Sequence, residues 1–218
     1  MVAPAFRRQL PQGSLAGLIS SLPGPRVFVG REARADGLDS FMDELSRARP
    51  LSRVPRTAAL VKLVASLLSS GPHLELNARV EGGEALYFRE VNVAVPVYEG
   101  GVVRAAVVLD AARRGLDEIA ASIASPEASD LSDATFSLVN MGPFGVDWAV
   151  GLQVPGPVAT LTVGRARPRQ GEEGRTRYLT LTLSVDPRAV GPDVVGSFLA
   201  DLAAALSSPD LLRRLLSG

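Results

Sequence analysis

Tyr178-Leu179-Thr180-Leu181-Thr182-Leu183-Ser184-Val185-Asp186-Pro187-Arg188 is the stretch on which the reading of this chain turns. Leu179, Leu181, Leu183 and Val185 point one way from an extended backbone, and Thr180, Thr182 and Ser184 point the other. Strict alternation is the period of a β-strand with one face on a core. Two similar segments precede it. Thr135 to Asn140 runs into Met141-Gly142-Pro143-Phe144-Gly145, and Val158 to Val163 sits between Pro155-Gly156-Pro157 and Gly164. Short apolar and hydroxyl-bearing runs bounded by Gly and Pro predict strands and turns, so the second half of the chain is mostly β.

A long helix closes the chain, with Asp193 placed to cap it and Val195, Phe198, Leu199, Leu202 and Leu206 on one face. A leucine-rich tail follows, Leu211-Leu212-Arg213-Arg214-Leu215-Leu216. Upstream, Leu116 to Ala124 predicts a helix stopped by Pro126. Strands are predicted over Glu75 to Val80, Tyr87 to Val97 and Val102 to Leu109, with turns at Gly82-Gly83 and Gly100-Gly101. Helical spacing marks Arg56 to Ser70 (Leu60, Val61, Val64, Leu67, Leu68) and Ala35 to Ala48 (Leu38, Phe41, Met42, Leu45). Pro50 to Pro55 reads as a loop, Arg26 to Val29 as a strand, and Ser14 to Ser21 as a short helix. Met1 to Gly13 reads as an arm rather than a folded unit. No repeat and no linker divides the rest, so residues 14–218 are read as one α/β domain with a mixed sheet.

The 218 residues are 46% apolar and 21% charged, with a mean hydropathy of +0.18, which excludes wholesale disorder. Lys plus Arg equals Asp plus Glu at 23 each, so no broad basic surface is available for nucleic acid. A neutral chain also lacks the charge repulsion that opposes self-association. Cysteine is absent, which removes disulfides, thiolate metal sites and cysteine nucleophiles. His73 is the single histidine, so no multi-histidine metal site exists. No apolar run approaches the ~20 residues of a membrane span and no signal peptide is visible, so a cytoplasmic location is expected. One lysine, Lys62, stands among 23 basic residues, and the others are arginine.

Three landmarks in order resemble the catalytic core domain of the 2-oxo acid dehydrogenase dihydrolipoyl acyltransferases, a chloramphenicol-acetyltransferase-like fold. Thr135-Phe136-Ser137-Leu138-Val139-Asn140-Met141-Gly142-Pro143-Phe144-Gly145 is similar to that family's T-F-T-I-S-N-L-G-x-F-G. Pro155 to Gly164 resembles its N-P-P-Q-x-A-I-L-x-V-G, and Leu181 to Arg188 its L-S-L-S-x-D-H-R. Weaker matches are Gly71 to Ala78 with P-x-L-N-A, Val91 to Val95 with V-N-I-G-V-A-V, and the ending Phe198-Leu199 through Pro209 to Leu212 with F-L…P-E-L-L. The resemblance implies a mixed sheet flanked by helices and a trimer.

It also implies a chemistry, whose residues this chain lacks. In the family, a histidine of D-H-R-x-x-D-G is the base for a thiol of dihydrolipoamide or coenzyme A, because a thiol of pKa near 8.5 needs one at neutral pH. The motif's second aspartate supports the site. The hydroxyl of I-S-N, from a neighbouring subunit, donates to the tetrahedral oxyanion. Here Pro187 stands at the histidine, Gly191 at the aspartate and Val139 at the hydroxyl. Asn140, Gly142, Gly145, Asp186 and Arg188 are retained, and Asp186 with Arg188 reads as a charge pair holding the turn.

The expectation is a non-catalytic structural core that self-assembles into trimers and larger shells or joins an active paralogue. Two alternatives stay open: an acyltransferase with a rearranged site using His73 or Asp193, and a coenzyme A or small-molecule binder using a residual channel. Otherwise His73 reads as a turn histidine and Asp193 as a helix cap. The family's lipoyl-bearing lysine, subunit-binding domain and linkers have no counterpart, since Lys62 falls in a helix. No cofactor, metal, nucleic acid or membrane partner is expected. Gly164 to Gly174, with Arg165, Arg167 and Arg169 inside it and Arg175 and Arg177 just after it, reads as a solvated hairpin rather than an anion-binding loop. Phe144 and Trp148 read as core or subunit contacts. Leu211, Leu212, Leu215 and Leu216 either pack as a helix end or dock on an adjacent trimer.

Overall fold

The computed structural model describes residues 3–9, 24, 26–49, 54–69, 71–99, 102–125, 131–171 and 174–216. The Ser14–Ser21 helix and the Gly100-Gly101 turn of the sequence reading lie outside them. A mixed seven-stranded sheet has the order β2(Val27–Arg34), β10(Gly174–Val185), β8(Ala159–Val163), β7(Phe136–Asn140), β5(Val93–Glu99), β6(Val102–Val108), with β9(Arg167–Gly171) also paired to β10. β5, β7 and β8 run parallel to one another, and β10 runs antiparallel to β2, β8 and β9. A second antiparallel sheet has the order β1(Phe6–Gln9), β4(Glu84–Tyr87), β3(Ala78–Glu81). The turn between β3 and β4 is Gly82-Gly83, both at positive φ (57° and 83°), as a two-residue hairpin whose twist matches its strands requires.

Alternation along β10 sorts the two faces of the large sheet. Leu179, Leu181, Leu183 and Val185 join Leu161, Leu138, Phe136 and Val93 in the main core, beneath α1(Asp36–Ala48), α2(Arg56–Ser69), α3(Leu116–Ala124) and α4(Pro192–Ser207). Helix α2 is buried almost all round, including Lys62, so it forms the centre of the helical layer. Lys62 lies 1% exposed, its Nζ donates to the Ala112 carbonyl at 2.7 Å, and burial pulls its pKa down. The opposite face carries Ser137, Thr160, Thr162, Thr182 and Ser184, with a small apolar cluster of Ala94, Val107, Ala134 and Val154 beside them.

Several expectations are corrected. The arm is not free over its whole length, since Phe6–Gln9 adds to the edge of β4, with Phe6 stacked on Tyr87 at 4.3 Å. Glu75 to Val80 divides into a 3-10 turn at Leu74–Leu76 and β3. Tyr87 to Val97 is two strands, because Asn77 Nδ2 donates to the Phe88 and Glu90 carbonyls and holds the chain in a bend between them. Asp193 is not the cap of α4: Gly191 occupies that position, Pro192 opens the helix, and Asp193 lies in its first turn, where a carboxylate still favours the helix dipole.

The tail forms α5(Pro209–Leu216) and turns back onto its own chain. Leu212 and Leu216 are buried in the main core, and Leu211 and Leu215 pack against it. Ser66 Oγ of α2 donates to the Leu215 carbonyl at 2.8 Å, and Arg213 pairs with Glu44 of α1 at 2.6 Å. Folding back removes the apolar surface of Leu212 and Leu216 from water within one subunit, while Leu211 and Leu215 stay partly exposed at the edge of the core. Helix α1 meets the α4–α5 junction closely enough that a Cβ at Gly37 would lie 2.7 Å from both the Leu206 carbonyl oxygen and the Ser208 nitrogen. Gly37→Ala is therefore expected to lower unfolding stability by about 1–3 kcal/mol, read as a shifted denaturation midpoint at unchanged slope.

Candidate functional site

The turn after β10 is where the sequence resemblance places the base. Asp186 is buried, and its carboxylate accepts from Arg188 Nε at 2.9 Å and Nη2 at 2.6 Å, as well as from the Arg188 backbone N–H at 3.0 Å. The hydrogen bond to Asp186 pushes the Arg188 pKa up. Arg26, at the entry to β2, donates to the Val158 and Pro157 carbonyls at 2.6 and 3.1 Å beside this pair, and burial pulls its pKa down. Tyr87 donates its hydroxyl to the Ala189 carbonyl at 2.8 Å, and burial pushes that phenol up to about 12. Arg8 of β1 reaches the same carbonyl, pairs with Glu75 at 3.3 Å, and lies 5.0 Å over the Tyr87 ring. Pro187 thus stands half-buried in a turn fixed from three elements, and contributes no ionisable group to it.

Val139 lies elsewhere. It is buried on the polar face of the sheet beneath Gly151, where a Cβ would come within 2.7 Å of Val139 Cβ, and the Gly151 N–H donates to Thr162 Oγ1 at 2.9 Å. Val139 pairs with Thr162, and Thr162 with Thr182. From Thr182 to the end of β10 and across two strands, the rise per residue and the strand spacing put Val139 and Pro187 on the order of 15 Å apart. One chain does not bring the two positions together.

Gly191 begins α4, and Asp193 folds over it: a Cβ at Gly191 would lie 2.5 Å from Asp193 Oδ1. His73 is in neither place. Its ring is 1% exposed and edge-on to Phe198 at 5.5 Å, with Nε2 2.8 Å from Asp201 Oδ2. The retained Asn140 is structural: Nδ2 donates to Thr57 Oγ1 at 3.0 Å and Oδ1 accepts from Gly142 N–H at 3.0 Å, with Gly145 ending the turn at φ 73°.

A cleft of about 400 Å³ opens beside that turn, lined by Arg56, Thr57, Asn140, Gly142, Arg165 and Arg177 among others. Each of its arginines already meets an acid, Arg56 and Arg177 sharing Asp39 at 2.5 and 3.3 Å and Arg165 holding Asp147 at 2.7 Å. The arginine-rich segment is the β9–β10 hairpin, with Arg167 and Arg169 paired to Asp147 and Glu32. Nothing in the sequence marked Arg26, Tyr87, Arg8 or Thr57, whose partners lie far along the chain. Among the described residues no group of His, Asp and Glu is placed to hold a metal, and no single helix is long and apolar enough to cross a membrane.

The mixed sheet with helices on one face has the chloramphenicol-acetyltransferase-like fold. Chloramphenicol acetyltransferase shares it at a TM-score of 0.61 and 14% identity, with 90% of this chain and 92% of that one covered. The chain belongs to the family of the 2-oxoacid dehydrogenases acyltransferase (catalytic domain), whose model matches residues 15–213. It is similar to the dihydrolipoyllysine-residue acetyltransferase component 5 of the pyruvate dehydrogenase complex, chloroplastic, of Arabidopsis thaliana: 26% identical over 215 residues, covering 91% of this chain and 45% of that protein. It therefore spans less than half the length of that relative. The truncated catalytic core of the 2-oxoacid dehydrogenase multienzyme complex from Thermoplasma acidophilum superposes at a TM-score of 0.74 with 26% identity, covering 85% of this chain and 88% of that one.

Proposed function

We propose that this chain is a non-catalytic core subunit, which keeps the acyltransferase architecture, associates into trimers with itself or with a catalytic paralogue, and transfers no acyl group. The observation that carries the reading is Pro187, which has no proton acceptor, in a turn already held by Arg188, Tyr87 and Arg8. Val139 adds to it, since a buried valine beneath Gly151 offers an oxyanion no donor.

Association is supported by what the polar face of the sheet leaves uncovered. Phe28 on β2 is 51% exposed on that side, and Trp148 (60%), Val150 and Leu152 are exposed on either side of Gly151, which lies over Val139 and Thr162. Large apolar residues gathered on one side of a neutral subunit mark a contact surface, and cyclic closure buries it without leaving an open end. Light scattering is expected to give three times the 22.9 kDa chain mass, and Trp148→Asp to shift it toward the monomer. A wild-type protein that stays monomeric at micromolar concentration overturns the trimer. With the tail folded into its own subunit, no link between trimers is proposed through it.

A second reading, residual binding of coenzyme A, has the arginine-lined cleft in its favour. Its arginines are spoken for by Asp39 and Asp147, so a phosphate there must displace a carboxylate. Coenzyme A leaving the melting temperature of the trimer unchanged at millimolar concentration removes that reading.

A further inference from the structure

On the polar face of the large sheet, three hydroxyls stand in one row. Ser137 of β7 is in register with Thr160 of β8, and Thr160 with Ser184 of β10. The three residues are at most 1% exposed, and among the described residues none of the three hydroxyl oxygens has a hydrogen-bond partner. The next row along the same strands differs, because Thr162 Oγ1 accepts the Gly151 N–H. The segment from Gly151 to Val154 crosses above, and within it the Gln153 Oε1 is likewise buried without a partner, although its Nε2 donates to the Gly151 carbonyl. At its edge the row ends at Phe28, which pairs with Ser184 and is half open to solvent.

Buried hydroxyls in folded proteins are almost always satisfied, by protein or by ordered water, and a buried water typically makes about three hydrogen bonds to such groups. Cross-strand neighbours stand about 4.5–5.5 Å apart at Cβ, a spacing one water bridges. We infer that the Ser137–Thr160–Ser184 row is a hydration site, in which ordered water links the three hydroxyls to one another and to Gln153 Oε1. The small side chains of the row leave the room, and the β2 edge supplies the entrance. The segment that carries Trp148, Val150 and Leu152 therefore rests partly on water rather than on packed side chains.

Thr160→Val decides the matter by sign, because valine matches threonine in shape and lacks only the hydroxyl. At a hydrated row, the substitution takes a partner from bound water, and the melting temperature is expected to fall by about 2–4 °C. At a dry row, it removes an unsatisfied buried hydroxyl, and the melting temperature rises; that result overturns the inference. Water-oxygen magnetic relaxation dispersion on the wild-type protein gives a readout that does not depend on a variant folding. At least one long-lived internal water that disappears in Thr160→Val or Ser184→Ala supports the site. A wild-type protein with no long-lived internal water overturns it.

Discussion

Acyl transfer from acetyl-coenzyme A to dihydrolipoamide by the homomeric protein is expected to run at least about 10⁴-fold below that of a catalytic member of its family. Loss of a general base alone forfeits about 10²–10⁴ in rate, and loss of an oxyanion donor about 10²–10³. The family resemblance puts Pro187 and Val139 at those two positions. Pro187→His is expected to recover only a small part of the rate, because Val139 stays buried beneath Gly151 and Gly191 still offers no carboxylate. Asp193 supplies the control, since its Oδ1 reaches over Gly191. Turnover of about one per second in the thiol-release assay, abolished by Asp193→Asn or His73→Ala, would refute the non-catalytic reading and establish a rearranged site.

Mixed in equal amounts with a catalytic paralogue that co-assembles with it, at fixed total subunit concentration, the chain is expected to leave about one quarter of the activity of the all-catalytic assembly rather than one half. The family resemblance implies a site made at the junction of two subunits, base from one and hydroxyl from the next. In the sheet register Val139 and Pro187 lie on the order of 15 Å apart within one chain. A subunit lacking both halves spoils both junctions it touches, so only junctions between two catalytic subunits work. With random mixing their share is the square of the catalytic fraction. Activity plotted against that fraction, with mixed trimers confirmed by mass, should be quadratic. A straight line in the presence of mixed trimers rejects the two-junction reading, and separate assemblies reject co-assembly itself.

Local signals were legible in the sequence. Leu116–Ala124 is bounded as expected, because Glu118 accepts the Gly115 N–H at its start and Pro126 follows its end. The Leu/Thr alternation of β10 survives because one face meets the helices and the other lies partly beneath the Gly151 segment. Asp186 and Arg188 were readable as a pair since they are two residues apart. Non-local pairings were not. Phe6-Arg7-Arg8-Gln9 shows no alternation, and its partner strand β4 lies beyond β2, α1, α2 and β3 along the chain, so the arm's strand is decided by Tyr87. β9 holds Pro168 and three of its neighbours are polar or charged, as an outer hairpin strand tolerates. The tail's leucines fitted a helix end and an intersubunit contact equally well until Ser66 and Glu44 fixed α5 to its own subunit.

The central position of Lys62 has a chemical corollary. It is the only lysine, and its amine is enclosed in the helical layer on the Ala112 carbonyl. The remaining positive charge belongs to arginine, whose guanidinium stays protonated and is not acylated under mild conditions. The folded domain thus presents no side-chain amine to active esters, aldehydes or acyl-transferring enzymes. Its side chains therefore offer acylating reagents no exposed amine. In a mixed particle, lysine-directed dyes and crosslinkers will report on its partners, and reagents aimed at carboxylates or guanidinium groups are needed to see the side chains of this chain.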